Sequence, residues 1–574
     1  RVGGVLTVNS GATVETTGDG TGLGYFDQLT TLNVNGGTAT SAGTMHIWNL
    51  TGGINLTGGT LQSNSGVSNP SGPQLEWNRT SVTTLASATT STIGGRINIR
   101  GDNGYTTVDL TVADGAAATD LAITAAITEA AGGRGIAKHG PGTMVLSGNN
   151  SYSGATTVNE GLVIVQNGNG IGNLSNVTLN NSSQLRLDAN ESVGSLAGSA
   201  TSTVNIQSHT LQLGSQLGSA TATYDGVISG TGALVRRGGG TQTLTGNNSF
   251  SGSITVQDGG TLSVPTVAAS GNQPLGVGTG NISLDGSGGG ATLAITGAGT
   301  YNLPSTRGLA LSGSGGILDV SAGTLNMSGD ITGASNSAHF TKSGAGTFNF
   351  SGSGSWSGNF TVSGGTFNLT GGGSIPGVGA ATVSGTLNIS STGSFKAASL
   401  DVLPGGAVNF DAGTLRVGGG GLGPTGRSID NDSGSFNWGN STLAVYTTGS
   451  GEAGLTDRAN LGGSPSGPEV KEGNYLSVSG SLNAPSGSTL DLGSTYLSNG
   501  LRYNQLNVDG NLTLNDGTLN IGLSPYFLRP NTPDSVTVGD WGTMVLVYAE
   551  GTLSGTFAQL GGKTVIPGIS NDGI

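Results

Sequence analysis

Short runs in which apolar and polar residues alternate recur along almost the whole chain. Residues 324–327, 386–389 and 518–521 read Thr-Leu-Asn followed by Met or Ile, so that every second residue is apolar. A period of two residues is typical of a β-strand with one buried face. Pairs such as Gly-Gly, Asn-Gly and Asp-Gly end these runs after about four to six residues, which predicts short strands separated by turns.

One tripeptide, Gly-Thr-Leu, introduces many of these runs. It begins at Gly59, Gly260, Gly323, Gly385, Gly413, Gly517 and Gly551. A strand of this length is not stable alone. Such strands become stable when successive copies stack, because each then buries its Leu, Ile or Val against its neighbours. The pattern therefore predicts a stacked all-β architecture.

A longer repeat occurs three times, at residues 142–158, 240–256 and 346–362. The three copies are identical at eight of 17 positions. A basic residue stands upstream in each copy, two positions before a glycine, with an apolar residue two positions before it; these basic residues are Lys138, Arg236 and Lys342. Agreement over this length identifies real internal repeats.

Two stacked architectures compete for such a chain, a β-propeller and a parallel β-solenoid. The aromatic positions of the repeat, Tyr152, Phe250 and Trp356, are 98 and 106 residues apart. A propeller requires blades of about 40 to 50 residues at a fixed period. A solenoid with coils of about 20 to 25 residues tolerates irregular spacing, since loops can leave any coil. We therefore expect a β-solenoid with irregular loop excursions.

Three segments depart from the regular pattern. Ala116 to Ala131 is rich in alanine, but its interspersed Ile and Thr residues favour strand over helix. Ser68 to Thr80 contains Pro70, Pro73 and Trp77, and residues 418–474 also contain prolines and few alternating runs. Both of the latter segments are predicted to be loops or excursions.

These departures divide the chain into three expected parts. The parts are a parallel β-helix body at 1–417 with repeats near 136–165, 234–264 and 340–370, a loop-rich excursion at 418–474, and C-terminal β-helix coils at 475–574.

Composition narrows the classes of function. The chain has 110 Gly in 574 residues and only 9% charged residues, whereas about 25% charged is usual for globular proteins. Its formal net charge is −13, which disfavours nucleic acid as a partner. The absence of Cys excludes disulfides and thiolate chemistry, and it favours export through an oxidising compartment. No apolar run is long enough for a transmembrane segment, and a start at Arg1 is typical of a processed or truncated chain.

Acidic residues offer no convincing catalytic pair. Glu160 and Asp258 occupy equivalent positions of the first two repeats, and the third has Gly364 there. A position that accepts Glu, Asp or Gly is typical of a turn. Most other acids stand singly beside glycine, so we expect no carboxylate pair of the kind that glycosidases use.

Metal and nucleotide sites are not expected either. The four histidines, His46, His139, His209 and His339, lack the spacing of zinc ligands and are predicted to be solvated or in turns. Gly421, Gly423 and Gly426 match a dinucleotide fingerprint without a following helix, and Gly562-Lys563-Thr564 lacks the first glycine of a phosphate loop. Asp430, Asp432 and Gly434 match a calcium loop only loosely. No cofactor is predicted.

The large side chains of the repeat are predicted to have structural roles. Tyr152, Phe250 and Trp356 share only a flat apolar ring, which favours packing inside the repeat over an exposed stacking platform for sugars. Lys138, Arg236 and Lys342 share only their charge, which favours a surface position beside a turn.

The three-copy repeat resembles a known family. Its pattern, G-x-G-T-x-x-L-(S/T)-G-N-N-S-aromatic-S-G-x-x-T-V followed by a turn and Gly-Thr-Leu, is similar to the autotransporter-associated β-strand repeat of bacterial surface and secreted proteins. The stretch 490–560 also looks like the C-terminal coils of such proteins. The resemblance implies a right-handed parallel β-helix displayed outside the cell.

Together these observations predict a non-catalytic extracellular structural or adhesive protein of the bacterial surface. Because the ends of a solenoid are open sheet edges, self-association end to end or laterally into filaments or matrix is expected. Two alternatives remain: an adhesin that binds surface glycans, and a polysaccharide lyase or hydrolase built on a β-helix.

Overall fold

Most of the described β-strands are parallel and pair with the strand one coil further along the chain. The structure is a computed structural model. It describes residues 4–16, 29–64, 74–173, 175–215 and 218–409, and the backbone of the strands beyond residue 409. The contacts divide the chain into two compact units, Arg1–Ala294 and Ile295–Ile574, which are described separately below.

The first unit is built from short strands of mostly three to seven residues. Its strands are β1 (Gly4–Asn9), β2 (Thr13–Thr16), β3 (Leu29–Asn35), β4 (Thr38–Ser41), β5 (Met45–Trp48), β6 (Ile54–Thr57), β7 (Thr60–Ser63), β8 (Leu75–Asn78), β9 (Val82–Thr84), β10 (Ser91–Gly94), β11 (Arg96–Ile99), β12 (Thr107–Val112), β13 (Leu121–Ile123), β14 (Ala126–Glu129), β15 (Gly135–His139), β16 (Thr143–Leu146), β17 (Thr156–Val158), β18 (Leu162–Val165), β19 (Asn176–Leu179), β20 (Gln184–Leu187), β21 (Glu191–Val193), β22 (Ser195–Gly198), β23 (Thr203–Asn205), β24 (Leu211–Leu213), β25 (Ala222–Tyr224), β26 (Val227–Ser229), β27 (Leu234–Arg237), β28 (Thr241–Leu244), β29 (Ile254–Gln257), β30 (Thr261–Val264), β31 (Ile282–Asp285) and β32 (Ala291–Ile295). A 3₁₀ turn occupies Asp102–Gly104.

These strands form parallel sheets that run along the coils. One sheet has the order β2-β4-β7-β10-β13-β16-β18-β20-β23-β26, and a shorter one has the order β14-β11-β8-β5. A third sheet proceeds from β1 through β3, β6, β9, β12, β15 and β17 to β19. Register offsets give the coil lengths: Ile136 pairs with Thr156 and Ser91 with Leu121, which are coils of 20 and 30 residues.

The second unit continues the same construction with its own strands. They are β33 (Thr300–Asn302), β34 (Leu309–Ser312), β35 (Gly315–Val320), β36 (Thr324–Met327), β37 (Ile331–Gly333), β38 (His339–Ser343), β39 (Thr347–Phe350), β40 (Gly354–Ser355), β41 (Phe360–Val362), β42 (Thr366–Leu369), β43 (Ile375–Val383), β44 (Thr386–Val402), β45 (Ala407–Val417), β46 (Ile429–Asn431), β47 (Ser435–Trp438), β48 (Thr442–Val445), β49 (Tyr475–Val478), β50 (Leu482–Ala484), β51 (Thr489–Leu497), β52 (Gly500–Tyr503), β53 (Gln505–Val508), β54 (Leu512–Gly522), β55 (Val547–Ala549), β56 (Leu553–Leu560) and β57 (Lys563–Thr564). Within it, β33, β36, β39, β42 and β44 pair in succession, as do β35, β38, β41 and β43. The pairs β51–β52 and β56–β57 are antiparallel.

The core of each unit consists of inward side chains stacked in columns along the coils. In the first unit, Leu32, Ile54 and Val82 follow one another in register and are fully buried. In the second unit, Leu325, Phe348 and Phe367 do the same. Burying one such side chain contributes about 1.5 to 3 kcal/mol, so the columns supply most of the stability that a single short strand lacks.

The predicted all-β parallel solenoid is confirmed, and so is strand within the alanine-rich segment, where β13 and β14 lie. The prediction that Ser68 to Thr80 is an excursion was wrong for its second half. There Leu75–Asn78 forms β8, and the Trp77 ring is buried because it is an inward residue of that strand.

Several predictions fall on the C-terminal part of the chain. The excursion at 418–474 lies outside the described residues apart from β46, β47 and β48. The glycine cluster at 421–426, the side chains of the loose calcium match at 430–434 and the lookalike at 562–564 also lie outside them. The expected boundaries at 417 and 474 stay predictions.

Candidate functional site

The three basic residues of the repeat are buried inside the solenoid. Lys138 and Arg236 are each 1% exposed, and Lys342 is 0% exposed. The prediction that they lie on the surface beside a turn was wrong. Each stands two positions after a buried apolar residue of the same strand, so the period of two directs it inward.

Each cation occupies a place in a column of aliphatic side chains. Lys138 pairs in register with Leu110 on one side and Val158 on the other. The corresponding neighbours are Leu213 and Val256 for Arg236, and Leu318 and Val362 for Lys342. A charged group in such a column requires polar partners to offset its loss of water.

Main-chain carbonyl oxygens provide these partners for the two lysines. Lys138 Nζ donates to the carbonyls of Gly140 at 2.6 Å and Glu160 at 2.9 Å. Lys342 Nζ donates to the carbonyls of Ser343 at 2.8 Å, Gly344 at 2.9 Å and Gly364 at 3.1 Å. Three acceptors match the three N–H donors of an ammonium group, so the site around Lys342 is a carbonyl cage for a cation.

The glycine that follows each basic residue shapes this cage. Gly140, Gly238 and Gly344 have φ angles of 77°, 75° and 77°. This left-handed conformation is easy only for glycine. In the two lysine repeats it places the glycine carbonyl where it accepts from Nζ, which explains the spacing of basic residue and glycine in the sequence.

Arg236 fills the cage of the second repeat with a larger group. Its Nη1 donates to the carbonyls of Arg237 at 2.6 Å and Leu213 at 3.0 Å, and its Nε lies 3.4 Å from the carbonyl of Thr261. Leu213 belongs to the preceding coil and Thr261 to the following one. The guanidinium therefore connects three successive coils.

Burial lowers the pKa of all three cations. Desolvation lowers the pKa of Lys138 and of Lys342 to about 8, and the charges of Glu160 and Asp120 near Lys138 and of Asp319 near Lys342 offset part of this shift. The pKa of Arg236 is also lowered by burial. A pKa of about 8 leaves both lysines largely protonated at neutral pH.

The repeat aromatics predicted to pack inside the solenoid are buried. Tyr152 and Phe250 are 0% exposed and Trp356 is 2% exposed, so none offers a ring face to a sugar. The Tyr152 hydroxyl is 2.8 Å from Thr156 Oγ1, which is itself 2.7 Å from Ser175 Oγ. Trp356 lies against Phe340, with ring centroids 5.5 Å apart. Their role as packing residues stays a prediction that this burial supports.

The asparagine before each of the first two aromatics has a role that the sequence analysis missed. Asn150 Oδ1 accepts from the main-chain N–H of Ile127 at 2.7 Å, and Asn150 Nδ2 donates to the carbonyl of Gly170 at 2.6 Å. Asn248 bridges Ile228 and Pro274 in the same way, with both distances 2.7 Å. Each amide thus joins the coils before and after its own.

The third repeat replaces this asparagine by Gly354 and the smaller aromatic by Trp356. A Cβ atom at Gly354 would lie 2.5 Å from Cζ3 of Trp356, which is closer than atoms can approach. The indole therefore occupies the space that the asparagine uses in the other copies. The glycine at position 354 and the tryptophan at position 356 therefore belong to a single change in packing.

Several carboxylates also hold neighbouring coils together. Asp120 accepts main-chain N–H groups of Gly115 and Thr143, both at 2.8 Å, and Glu129 accepts those of Arg134 and Ser153, both at 2.8 Å. The sequence analysis did not single out these two acids, although an acid beside a turn often accepts hydrogen bonds from main-chain amides. The carboxylate oxygens of both acids thus accept hydrogen bonds from main-chain N–H groups of neighbouring segments.

Glu191 is a third acid of this kind and the most deeply buried of them. It is 3% exposed and accepts the N–H groups of Gly170 at 3.2 Å and Ile171 at 3.3 Å. Desolvation raises its pKa to about 8, although these two hydrogen bonds and one from Ser192 lower it.

The acids compared across the repeats are found in turns. Glu160, Asp258 and Gly364 each follow the strand of their repeat in a turn or bend. Asp258 forms an ion pair with Arg237, and its φ of 53° is in the left-handed region. Asp258 is thus a turn residue that pairs with a basic side chain. These equivalent positions do not bring two carboxylates together.

His46 departs from the environment that the sequence predicts for the histidines. His46 lies within β5, with its side chain 17% exposed, and its Nε2 is 3.2 Å from Glu76 Oε2. The prediction of a solvated or turn histidine was wrong there, since the ring also stacks on Trp48 at 4.8 Å. His139 is more exposed and contacts Asp109 at 3.2 Å. Within the described residues no three His, Asp or Glu side chains form a group that could hold a metal ion.

A row of asparagines runs across the second unit on the outward positions of the Thr-Leu-Asn strands. It consists of Asn302, Asn326, Asn349, Asn368, Asn388 and Asn409. Each Nδ2 donates to Oδ1 of the preceding member at 2.7 to 2.8 Å. We call this row the asparagine ladder. The sequence motif predicted the strand, but the side-chain row was missed.

Comparison with known proteins identifies the three repeats. The family model of the passenger-associated-transport-repeat matches residues 136–165, 234–264 and 340–369. A comparison with curated proteins found no match. Within the described part of the chain, no helix is long and apolar enough to span a membrane. Together with the parallel β-solenoid, the three matches to this passenger repeat indicate a secreted or cell-surface bacterial protein.

Proposed function

We propose that this passenger is a non-catalytic structural and adhesive protein that acts outside the cell. The proposal rests on one observation, that buried charged side chains bind the main chain of the solenoid. The buried cations Lys138, Arg236 and Lys342 bind main-chain carbonyls, and the acids Asp120 and Glu191 accept main-chain amides. Groups that could serve acid–base chemistry are thus engaged in joining coils.

Because the polar groups of the interior are engaged in joining coils, the function is expected to lie in contacts made by the outer surface. The outward positions carry Thr, Ser and Asn with few charges, as in the asparagine ladder, and such a surface suits weak, repeated contacts with other polar surfaces. Adhesion through an aromatic sugar platform at Tyr152, Phe250 or Trp356 is disfavoured, because all three rings are buried.

A panel of polysaccharides separates this proposal from a lyase or hydrolase. The purified protein is incubated with plant, algal and bacterial polysaccharides, and new reducing or unsaturated ends are measured. We expect none. Release of such ends that is lost on heat denaturation of the protein would overturn the non-catalytic assignment.

Adhesion and self-association have their own tests. Bacteria that display the chain are expected to attach to glycan-coated or abiotic surfaces, and to one another, more than bacteria that display only the export machinery. The purified chain is expected to form larger species with rising concentration in sedimentation and negative-stain images. Equal attachment would contradict the adhesive role, and monomers at all concentrations would contradict assembly.

A further inference from the structure

A charged side chain is unfavourable at the buried positions of Lys138, Arg236 and Lys342, because it loses its hydration there. Lys342 stands between Leu318 and Val362 in an aliphatic column. Replacing buried charges by apolar side chains of similar size is often neutral or stabilising. Stability alone therefore does not explain a charge at this position in all three repeats, and the effect of the charge on the arrangement of the coils must be considered.

The hydrogen bonds of the lysines connect one coil to a fixed point of the next. Lys138 Nζ binds the carbonyl of Glu160, and Lys342 Nζ binds the carbonyl of Gly364. Both acceptors are 22 residues further along the chain. Each acceptor lies in the turn that follows the next strand, so the ammonium group joins the turn of its own coil to the turn of its successor.

The coil that follows each cation has the same length in all three repeats. Lys138 pairs with Val158, Arg236 with Val256 and Lys342 with Val362, which are coils of 20 residues in every case. The coils that precede the two lysines differ in length, since Leu110 pairs with Lys138 after 28 residues and Leu318 with Lys342 after 24.

An apolar column alone cannot determine this register. A shift by one residue would turn every side chain to the other face, but a shift by two keeps all apolar side chains inward. The strands that carry and follow the cations are only three to five residues long, so a two-residue shift displaces few apolar side chains. A buried polar group with specific partners distinguishes the two registers, because a shift leaves it unpaired.

We propose that the buried cation of each repeat is a register lock: an internal cation, held by main-chain carbonyls of its own coil and of a neighbouring coil, that fixes the alignment of one coil on the next. Lys342 is a positioning residue in this role. Arg236 performs it with a guanidinium that reaches the coils on both sides.

Disulfide mapping tests the lock, since the chain contains no Cys. Thr341 and Thr361 are outward residues paired in register beside Lys342, and Cα atoms of such neighbours are close enough for a disulfide. The pair T341C/T361C reports the native register and T341C/S363C reports a shift by two. The pair T361C/T382C, one coil further and without a cation, reports whether the unit is folded.

The three pairs are introduced into the full-length chain with Lys342 intact and in the variants K342M and K342R. We expect K342M to lose most of the T341C/T361C cross-link and to gain T341C/S363C product, while T361C/T382C cross-links as before. K342R is expected to keep the native pattern, because the second repeat uses Arg. Native cross-linking in K342M without shifted product would overturn the lock. Loss of the T361C/T382C cross-link as well would also overturn it, since the side chain would then serve folding of the whole unit.

Discussion

At the scale of single residues, the position of Lys342 could have been predicted from the sequence. The residue two positions before it, Phe340, is buried, and the period of a strand then directs Lys342 inward too. The general tendency of lysine to be exposed favoured the opposite interpretation. The carbonyl cage could not be predicted, because it depends on a turn 22 residues away.

The lowered pKa of Lys342 predicts how stability depends on pH. The folded state releases this proton near pH 8, whereas the unfolded chain keeps it until about pH 10.4. Stability from this group is therefore present above the unfolded pKa and is lost as pH falls through 8. In urea unfolding between pH 7 and 10, we expect the wild type to gain about 2 kcal/mol relative to K342M.

A matched lysine provides the control for this measurement. Lys396 lies in the same unit and is partly exposed. K396M is expected to follow the pH profile of the wild type. Parallel profiles of the wild type and K342M would show that burial does not perturb Lys342.

The packing exchange at the third repeat predicts a coupled pair of substitutions. G354N is expected to destabilise the protein by about 1 to 3 kcal/mol, because its side chain would overlap the Trp356 ring. The double variant G354N/W356F reproduces the Asn-Ser-Phe sequence of the second repeat and is expected to recover most of this loss. Chemical denaturation of both single variants and the double variant gives the coupling energy.

Additive effects of the two substitutions would contradict this packing relation. Trp356 supports it independently, since its buried Nε1 has no hydrogen-bond partner among the described residues. The ring thus serves as an apolar filler, and removal of the indole N–H should have no polar cost.

At the scale of strands, alternation in the sequence predicted the elements well and their side-chain partners poorly. Thr-Leu-Asn motifs gave β36 at 324–327 and the start of β44 at 386. The asparagines of these motifs stack on one another only because each strand pairs with the next in the same register. A local sequence pattern does not contain this register.

The asparagine ladder predicts a specific response at Asn368. N368A removes one hydrogen bond to Asn349 and one from Asn388, and we expect a loss of about 1 to 2 kcal/mol in the free energy of unfolding. N368D can accept from Asn388, but its carboxylate cannot donate to Asn349. Its destabilisation is expected to increase as pH rises above about 4.

Thr382 provides a control on a neighbouring strand outside the ladder. T382A is expected to change stability by less than about 0.5 kcal/mol. If N368A is no more destabilising than T382A in urea unfolding, the ladder does not contribute to stability.

At the scale of the whole molecule, the internal repeats predicted the solenoid but not its division into two units. The boundary at Ala294 and Ile295 falls within β32, between Gly-rich segments that resemble many others in the chain. Such a boundary depends on the contacts between coils, which cannot be predicted from the amino-acid composition.

This division predicts that the first unit folds alone. A fragment of residues 1–294 retains its own stacked coils and is expected to show a β-type circular dichroism spectrum and one cooperative thermal transition. The fragment 1–248, which ends inside the second repeat, serves as the comparison and is expected to melt at a lower temperature. A fragment 1–294 that is unfolded at 25 °C would show that this division does not mark an independent folding unit.

The asparagine ladder also has a direction. Every member after Asn302 donates towards the preceding coil, so the amide dipoles point the same way and add, with the positive end at Asn302. Like a helix, this strip therefore has a head and a tail. A coil inserted into it preserves the alignment only if it brings an asparagine in the same orientation; a serine there would divide one long dipole into two short ones.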